Sequence, residues 1–290
     1  MPELPDINLY VEKIDERVRG QHLENIRVSK PFLVRSFDPP LGAANGKRVT
    51  ELRRIGKRIV IGLEADYWLV LHLMVAGRLH WHDDQAAIKG KHQLAAFDFP
   101  HGCLTLTEAG TRKRASLNLV QGMDALAEHD PGGLEPLDCG CDEFSAHLLR
   151  ENRTLKRALT NPRTFSGIGN AYSDEILHAA RLSPIKLTGK LSAAEVRSLF
   201  AATRATLERW CTLLRDQSAG EFPAKVTAFR AEMAVHGKYG KPCPVCGTVV
   251  QQIRYKSNET NYCPNCQTGG RLLADRSLSR LLKDDWPDTL

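Results

Sequence analysis

Apolar side chains at Ile7, Tyr10, Val11, Ile14 and Val18 recur at the i, i+3, i+4, i+7, i+11 spacing of one helix face, which predicts a helix over 7–18. Pro5 and Asp6 stand just before it, with Asp6 as a favourable N-cap. From about His22 to Gly122 the pattern shortens to strands. Arg58–Leu63 and Trp68–Leu73 flank a turn at Glu64-Ala-Asp66, and Leu94–Asp98 and Leu104–Leu106 flank Pro100-His101-Gly102. These read as β-hairpins of a sandwich or barrel-like domain. Residues 127–142, rich in Gly, Pro, Asp and Cys, read as a linker. Helices are expected at Phe144–Leu159, Tyr172–Ala180 and Ser192 to about Leu214, the last opened by a Ser192-Ala-Ala-Glu195 capping box.

The chain is thus expected to be α+β with two domains. A β-sandwich with an N-terminal helix (2–126) leads through the linker (127–142) to a helical domain (143–238), a ribbon (239–268) and a tail (269–290). With 42% hydrophobic and 26% charged residues, the composition excludes disordered, collagen-like and coiled-coil chains. The most apolar stretch, 58–77, contains Glu64, Asp66 and His72 and is too polar to span a membrane. Glu3 and Asp6 stand where a signal peptide would carry a basic flank, so a cytoplasmic chain is expected. A net charge of +6 suits a polyanionic partner without proving one.

Of eight cysteines, Cys103, Cys139, Cys141 and Cys211 are scattered and read as buried or free thiols. Cys243, Cys246, Cys263 and Cys266 form C-x2-C, sixteen residues, C-x2-C, which is zinc-ribbon spacing. Two such turns aim four thiolates at one tetrahedral Zn²⁺, and the competing reading is a redox dithiol pair.

Three further features can carry chemistry. Loss of the initiator Met before the small Pro2 would expose a secondary amine. An α-amino group titrates near 8, about two units below lysine, and a secondary amine condenses with an aldehyde directly to a cationic iminium. Glu3 alongside could move protons, although the same residues also suit an ordinary terminus. Gly167-Ile-Gly-Asn170 leads into a helix start that offers free N–H groups to phosphate, or is a plain interhelical turn. Basic clusters at Arg53–Arg58, Arg112–Arg114 and Arg153–Arg157 are solvated faces or phosphate contacts.

Together these residues resemble the bacterial formamidopyrimidine-DNA glycosylase/endonuclease VIII family. The resemblance rests on Met1-Pro-Glu-Leu-Pro-Asp-Ile7, Arg54-Ile-Gly-Lys-Arg58, His72-Leu73, Gly133-Leu-Glu-Pro-Leu137, Gly167–Glu175 and the four-cysteine ribbon, in the family's order. It implies a β-sandwich, a helix–two-turn–helix module and a zinc finger, with damaged DNA, duplex or partly single-stranded, held between the halves. It implies a monomeric bacterial base-excision enzyme, acting at the nucleoid, in which Pro2 attacks C1′ of the lesion nucleotide and β-elimination cuts the strand. Glu3 matches the family's acid/base residue and Lys57 its β-hairpin lysine. Arg112, Lys156 and Asn170 match DNA-binding positions. The alternative is a non-enzymatic binder of abasic or distorted DNA on the same fold.

The departures from the family pattern concern recognition. Asn258 replaces the finger's usual Arg, Met74 sits one place early, no Phe follows Arg112-Lys-Arg114, and Leu213–Gly220 lacks an obvious base-capping segment. The resemblance therefore implies intact terminal chemistry with altered lesion choice.

Overall fold

Two acidic side chains set the first helix. Glu3 is the N-cap of α1 (Leu4–Val18) and forms a reciprocal capping box with Asp6, whose carboxylate accepts the Glu3 N–H at 3.0 Å. Pro5 fits because the first turn needs no intrahelical N–H there. The helix therefore starts three residues before the predicted Ile7, and Asp6 is its third residue rather than its cap. Such a box contributes about 1 kcal/mol.

The computed structural model describes residues 1–223, 225–255 and 258–273, less the side chains of Tyr255 and Asn258. The expected tail falls mostly at 274–290, outside the described residues. Packing divides the chain into two units, 1–131 with 210–227 and 132–209 with 228–290.

In the first unit, β1 (His22–Leu23), β3 (Lys47–Ile55), β4 (Arg58–Leu63), β5 (Tyr67–His72) and β9 (Ser116–Gln121) form one five-stranded sheet, ordered β1-β3-β4-β5-β9. A second sheet joins β2 (Asn25–Val28), β7 (Gln93–Phe99), β8 (Gly102–Glu108) and β6 (Gly77–His82), ordered β2-β7-β8-β6. The apolar stripe of α1 (Ile7, Tyr10, Ile14, Val18) shares one core with Ile59, Ile61, Leu69 and Leu71 of the first sheet and Leu79, Phe97 and Leu104 of the second. Strands β4 and β5 read as continuous apolar runs because both faces are covered. Val60, Trp68 and Val70 point the other way, into a cluster with Leu126 of α2 (Met123–Ala127). Phe222 and Val226 join the main core, so part of the segment assigned from sequence to the helical domain packs with this unit.

In the second unit the single helix expected at 144–159 is two, α3 (Cys141–Leu149) and α4 (Leu155–Thr160). The break has a cause. Leu155 and Lys156 donate their N–H groups to Lys186 O (2.8 Å) and Pro184 O (3.1 Å), and Arg153 O accepts from Thr188 N–H (2.8 Å). Those distant partners replace helical ones. The expected linker is also partly structural: Leu134 N–H bonds Thr164 O and Ser166 N–H bonds Leu134 O. A Cβ on Gly133 would stand 2.2 Å from Pro162 O, so only glycine fits.

After α5 (Asn170–Ala179), the Ser192/Glu195 capping box opens α6 (Ala193–Ser218), which runs past the predicted Leu214. Phe144 of α3 stacks on Phe165 (4.5 Å between centroids) and meets Phe200 of α6 (5.4 Å). The ribbon is a hairpin of β10 (Gln251–Tyr255) and β11 (Asn258–Tyr262) followed by α7 (Pro264–Thr268).

Candidate active site and metal centre

The chain's first residues converge on the start of α1. Pro2 is buried, and Glu3 is only 2% exposed. The α-amino group is pushed below its ordinary value, first by burial. Glu3 opposes that shift, Arg78 adds to it, Asp6 opposes it and Lys57 adds to it. A lowered value means more neutral, nucleophilic amine near pH 7. Pro2 is the next residue along, so its nitrogen would inherit this setting once Met1 is removed.

Lys57 reaches this place through the β3–β4 turn, where Gly56 adopts φ +58°. The sequence analysis singled out Lys57 and, in the His72-Leu73 motif, His72, but not Arg78. Arg78, at the start of β6, donates to Val226 O (2.5 Å) and Gly77 O (2.6 Å). No local pattern marks it, because its acceptor lies 148 residues away. His72 closes β5, and its pKa falls to about 4 through burial and then Arg58 and Lys57. It is therefore neutral at pH 7, with Nδ1 accepting the Met74 N–H (3.2 Å). Met74 itself takes φ +53° in the turn that leads to β6. In that turn Gly77 N–H bonds Leu73 O, and a Cβ on Gly77 would stand 2.2 Å from the same oxygen.

Arg112 is exposed in the loop between β8 and β9. The buried Glu108 carboxylate fixes that loop by accepting the N–H groups of Arg114 (2.9 Å) and Ala115 (3.2 Å). The shape of the loop thus depends on a carboxylate rather than on an aromatic side chain.

In the second unit, Lys156 and Asn170 are brought together. The Lys156 ammonium donates to Asn170 O (2.6 Å) and to Asp174 Oδ1 (2.5 Å), and its side chain is 12% exposed. Asn170 is the first residue of α5, after the Gly169 N-cap. The sequence leaves Lys156 as part of a solvated face or a phosphate contact, and in the structure its ammonium already has two partners within the protein. Its partner Asp174 is fully buried and also accepts from His236 Nδ1 (2.8 Å) and from both the backbone and side-chain N–H of Asn261 (3.2 Å each). Next to it, Glu175 accepts three backbone N–H groups, from Ala234, Val235 and His236, at 2.8–2.9 Å. Two consecutive acids of α5 thereby hold the 234–236 segment and strand β11 in place.

The four ribbon sulfurs lie within 4.8 Å of one another. Three of the separations are 3.4 Å (Cys246–Cys263), 3.5 Å (Cys246–Cys266) and 3.9 Å (Cys243–Cys266). Thiolates around tetrahedral Zn²⁺ at about 2.3 Å stand about 3.8 Å apart, so this set fits the ion. His178 Nε2 sits 3.2 Å from Cys243 Sγ, where a ring N–H would orient the thiolate. Cys243 and Cys263 are buried, Cys266 is half-buried and Cys246 is exposed, and four thiolates fill a tetrahedron with no open position, as a structural centre requires. Among the described residues no other cluster of His, Cys, Asp or Glu could hold a metal, and no helix is long and apolar enough to cross a membrane.

The N-terminal helix on two sheets, the helical unit and the four-cysteine ribbon follow one another along a single chain. The match to known proteins agrees, and the chain belongs to the formamidopyrimidine-DNA glycosylase family. Residues 1–116 match the family's N-terminal domain, 133–218 its H2TH domain, and 240–269 the zinc finger found in FPG and IleRS. The formamidopyrimidine-DNA glycosylase of Heliobacterium modesticaldum is 30% identical over 279 residues, covering 92% of this chain and all of that one. An uncharacterized formamidopyrimidine-DNA glycosylase-like protein of Mycobacterium tuberculosis is 40% identical over 151 residues, 52% of this chain and 94% of its own. The Lactococcus lactis formamidopyrimidine-DNA glycosylase, solved non-covalently bound to AP-site DNA, superposes with a TM-score of 0.79 at 25% identity, covering 92% of this chain and 99% of that one. Its complex with Fapy-dG DNA gives 0.80 at 25% identity, covering 92% and 100%. The Heliobacterium and Lactococcus relatives are DNA glycosylases, and the chain is a Zn²⁺-binding enzyme of the DNA glycosylase class.

Proposed function

We propose that this enzyme is bifunctional, a glycosylase that excises damaged bases through a Schiff base on Pro2 and then cuts the strand by β-elimination. The observation that carries this reading is the buried chain start, where Pro2 and Glu3 are buried and the neighbouring Met1 amine is lowered by burial and feels the charges of Glu3 and Lys57. The neutral Pro2 nitrogen attacks C1′ of the lesion nucleotide and the base leaves. Glu3 moves the proton that opens the sugar to the iminium. The iminium cation then acidifies the C2′–H bond: a base takes the C2′ proton, its bonding pair forms the C2′=C3′ double bond, and the C3′–O bond breaks to release the 3′ phosphate. Lys57 places positive charge beside these steps, and neutral His72, whose Nδ1 accepts the Met74 N–H, adds no charge of its own. The damaged DNA named in the structures of the Lactococcus lactis enzyme supports this substrate class.

Lesion choice follows from the fillers. Base flipping leaves a gap that side chains must occupy, and no Phe follows Arg112-Lys-Arg114. Small fillers favour lesions that are already unstacked. A gel assay on a lesion panel is expected to show weak release of 8-oxoguanine opposite cytosine. Stronger activity is expected on abasic, ring-opened, hydantoin-like or single-stranded substrates. Asn258 cannot supply the charge that assists δ-elimination, so β-product should accumulate over β,δ-product. Efficient 8-oxoguanine excision with mainly phosphate ends would overturn this specificity.

On the helical unit, the third N–H of Lys156 and the Asn170 amide are proposed to meet backbone phosphates. Lys156→Ala should weaken all duplexes similarly and lower the salt slope by about one. An effect on one lesion alone would make Lys156 a base reader. Asp174→Ala should lower the thermal midpoint more than Lys156→Ala, because it leaves Lys156, His236 and Asn261 without their shared acceptor. Lys156→Ala leaves Asp174 with three of its four donors. Either change leaves one buried charge without its counter-ion, at about 3–5 kcal/mol, and Asp174→Ala adds the loss of the His236 and Asn261 bonds.

A further inference from the structure

The second unit carries a cleft of about 160 Å³ that none of these steps uses. Its wall includes His147, Arg150, Glu151, Arg153, Asn161 and Arg163. Three arginines face one acid, and Glu151 is taken by Arg153. Arg150 and Arg163 have no carboxylate partner among the described residues, and both are exposed. They come from separate places in the chain, the end of α3 and the turn after α4. The turn is fixed by Asn161, whose Oδ1 accepts the Arg163 N–H at 3.1 Å. His147 Nδ1 is buried without a hydrogen-bond partner. An unsatisfied buried polar atom costs about 1–3 kcal/mol and calls for an explanation. A small turn of the ring toward a bound oxyanion would give it one.

We propose that this cleft is a phosphate-binding site, with Arg150 and Arg163 as its two forks and His147 as the flanking donor, separate from the N-terminal site and from Lys156. Guanidinium forks match phosphate oxygens bidentately, and two of them converging on one concave place favour a dianion over a single carboxylate. The phosphate can arrive as the backbone of a nucleic acid or as a free oligophosphate, since both present the same oxygens.

The test uses the full-length, zinc-loaded protein and an Arg150→Gln/Arg163→Gln double variant, with zinc content and circular dichroism confirming the fold. Inorganic pyrophosphate is titrated by calorimetry, and an undamaged duplex is titrated across a salt series. If the site takes DNA, the variant's salt slope falls by about two. If it takes a free anion, the slope is unchanged and pyrophosphate binding weakens at least about tenfold, roughly the scale of one lost charge-assisted hydrogen bond. Restoring charge in an Arg150→Lys/Arg163→Lys variant should recover most of either effect. Equal pyrophosphate binding and equal slopes in wild type and the Gln variant would overturn the proposal. Borohydride trapping on abasic DNA at saturation reports on the N-terminal site alone. A failed cleft and a failed Schiff-base mechanism therefore give different results.

Discussion

A chain carrying an uncleaved extension before Pro2 is expected to give no borohydride adduct on abasic duplex, while the mature protein is trapped. The expected loss is at least about 100-fold, the scale of one catalytic group. An amide nitrogen has no lone pair available for attack, so blocking the terminus removes the nucleophile and leaves the fold untouched. Pro2→Gly should give an intermediate result, because a primary amine in the same buried setting still forms an imine. The pH profile provides a second reading. The amine must be neutral to attack, so trapping should fall as pH falls through its pKa. Burial, Arg78 and Lys57 all lower the pKa of the Met1 α-amine, and the Pro2 amine exposed next to it is expected to be lowered in the same way, so half-maximal trapping should lie below the amine's ordinary value. Glu3 raises the Met1 pKa, so Glu3→Gln should move the trapping profile to lower pH even as it slows base release. Equal trapping by the blocked chain would sink the proline mechanism.

Metal loss is expected to have the other large effect. Freshly purified protein should contain one zinc per chain. Chelation or Cys263→Ser should unfold the ribbon and weaken binding to every duplex. Structural zinc contributes about 10–16 kcal/mol in ribbon-sized peptides, far more than a short hairpin supplies by itself. The damage should extend beyond the four thiolates. Asn261 of β11 bonds Asp174, and Gln267 of α7 donates to Leu182 O at 3.0 Å. Unfolding the ribbon therefore strips partners from α5 and the turn after it. Hydrogen exchange across 170–182 should rise together with exchange in 240–269. Protein that folds fully with no bound metal would refute this role.

Much of this molecule can be read from short stretches of chain. The α1 stripe, the hairpins of the first sheet, the Ser192/Glu195 box and the Cys spacing all depend on residues a few positions apart. Their physical causes are helix and strand periodicity, caps and chelate geometry. Even the early start of α1 had a local signal, since Glu3 and Asp6 stand at capping-box spacing around a proline that a first turn tolerates. Tertiary structure alone decided the rest. The helix expected at 144–159 breaks because 153–156 finds partners at 184–188, and nothing within 150–154 announces them. Asp174 and Glu175 read as ordinary acids in a helix. They became buried acceptors only when residues about 60 to 87 positions away supplied their donors. His72 reads as a titrating histidine, yet burial beside Arg58 and Lys57 keeps it neutral. Arg78 reads as a strand charge until its distant acceptor sets it near the amine. Local pattern determined most of the elements and the four thiolates of the zinc site. Desolvation and long-range hydrogen bonding, which exist only after the chain has closed on itself, decided the charge state of His72 and the partners of Asp174, Glu175 and Arg78.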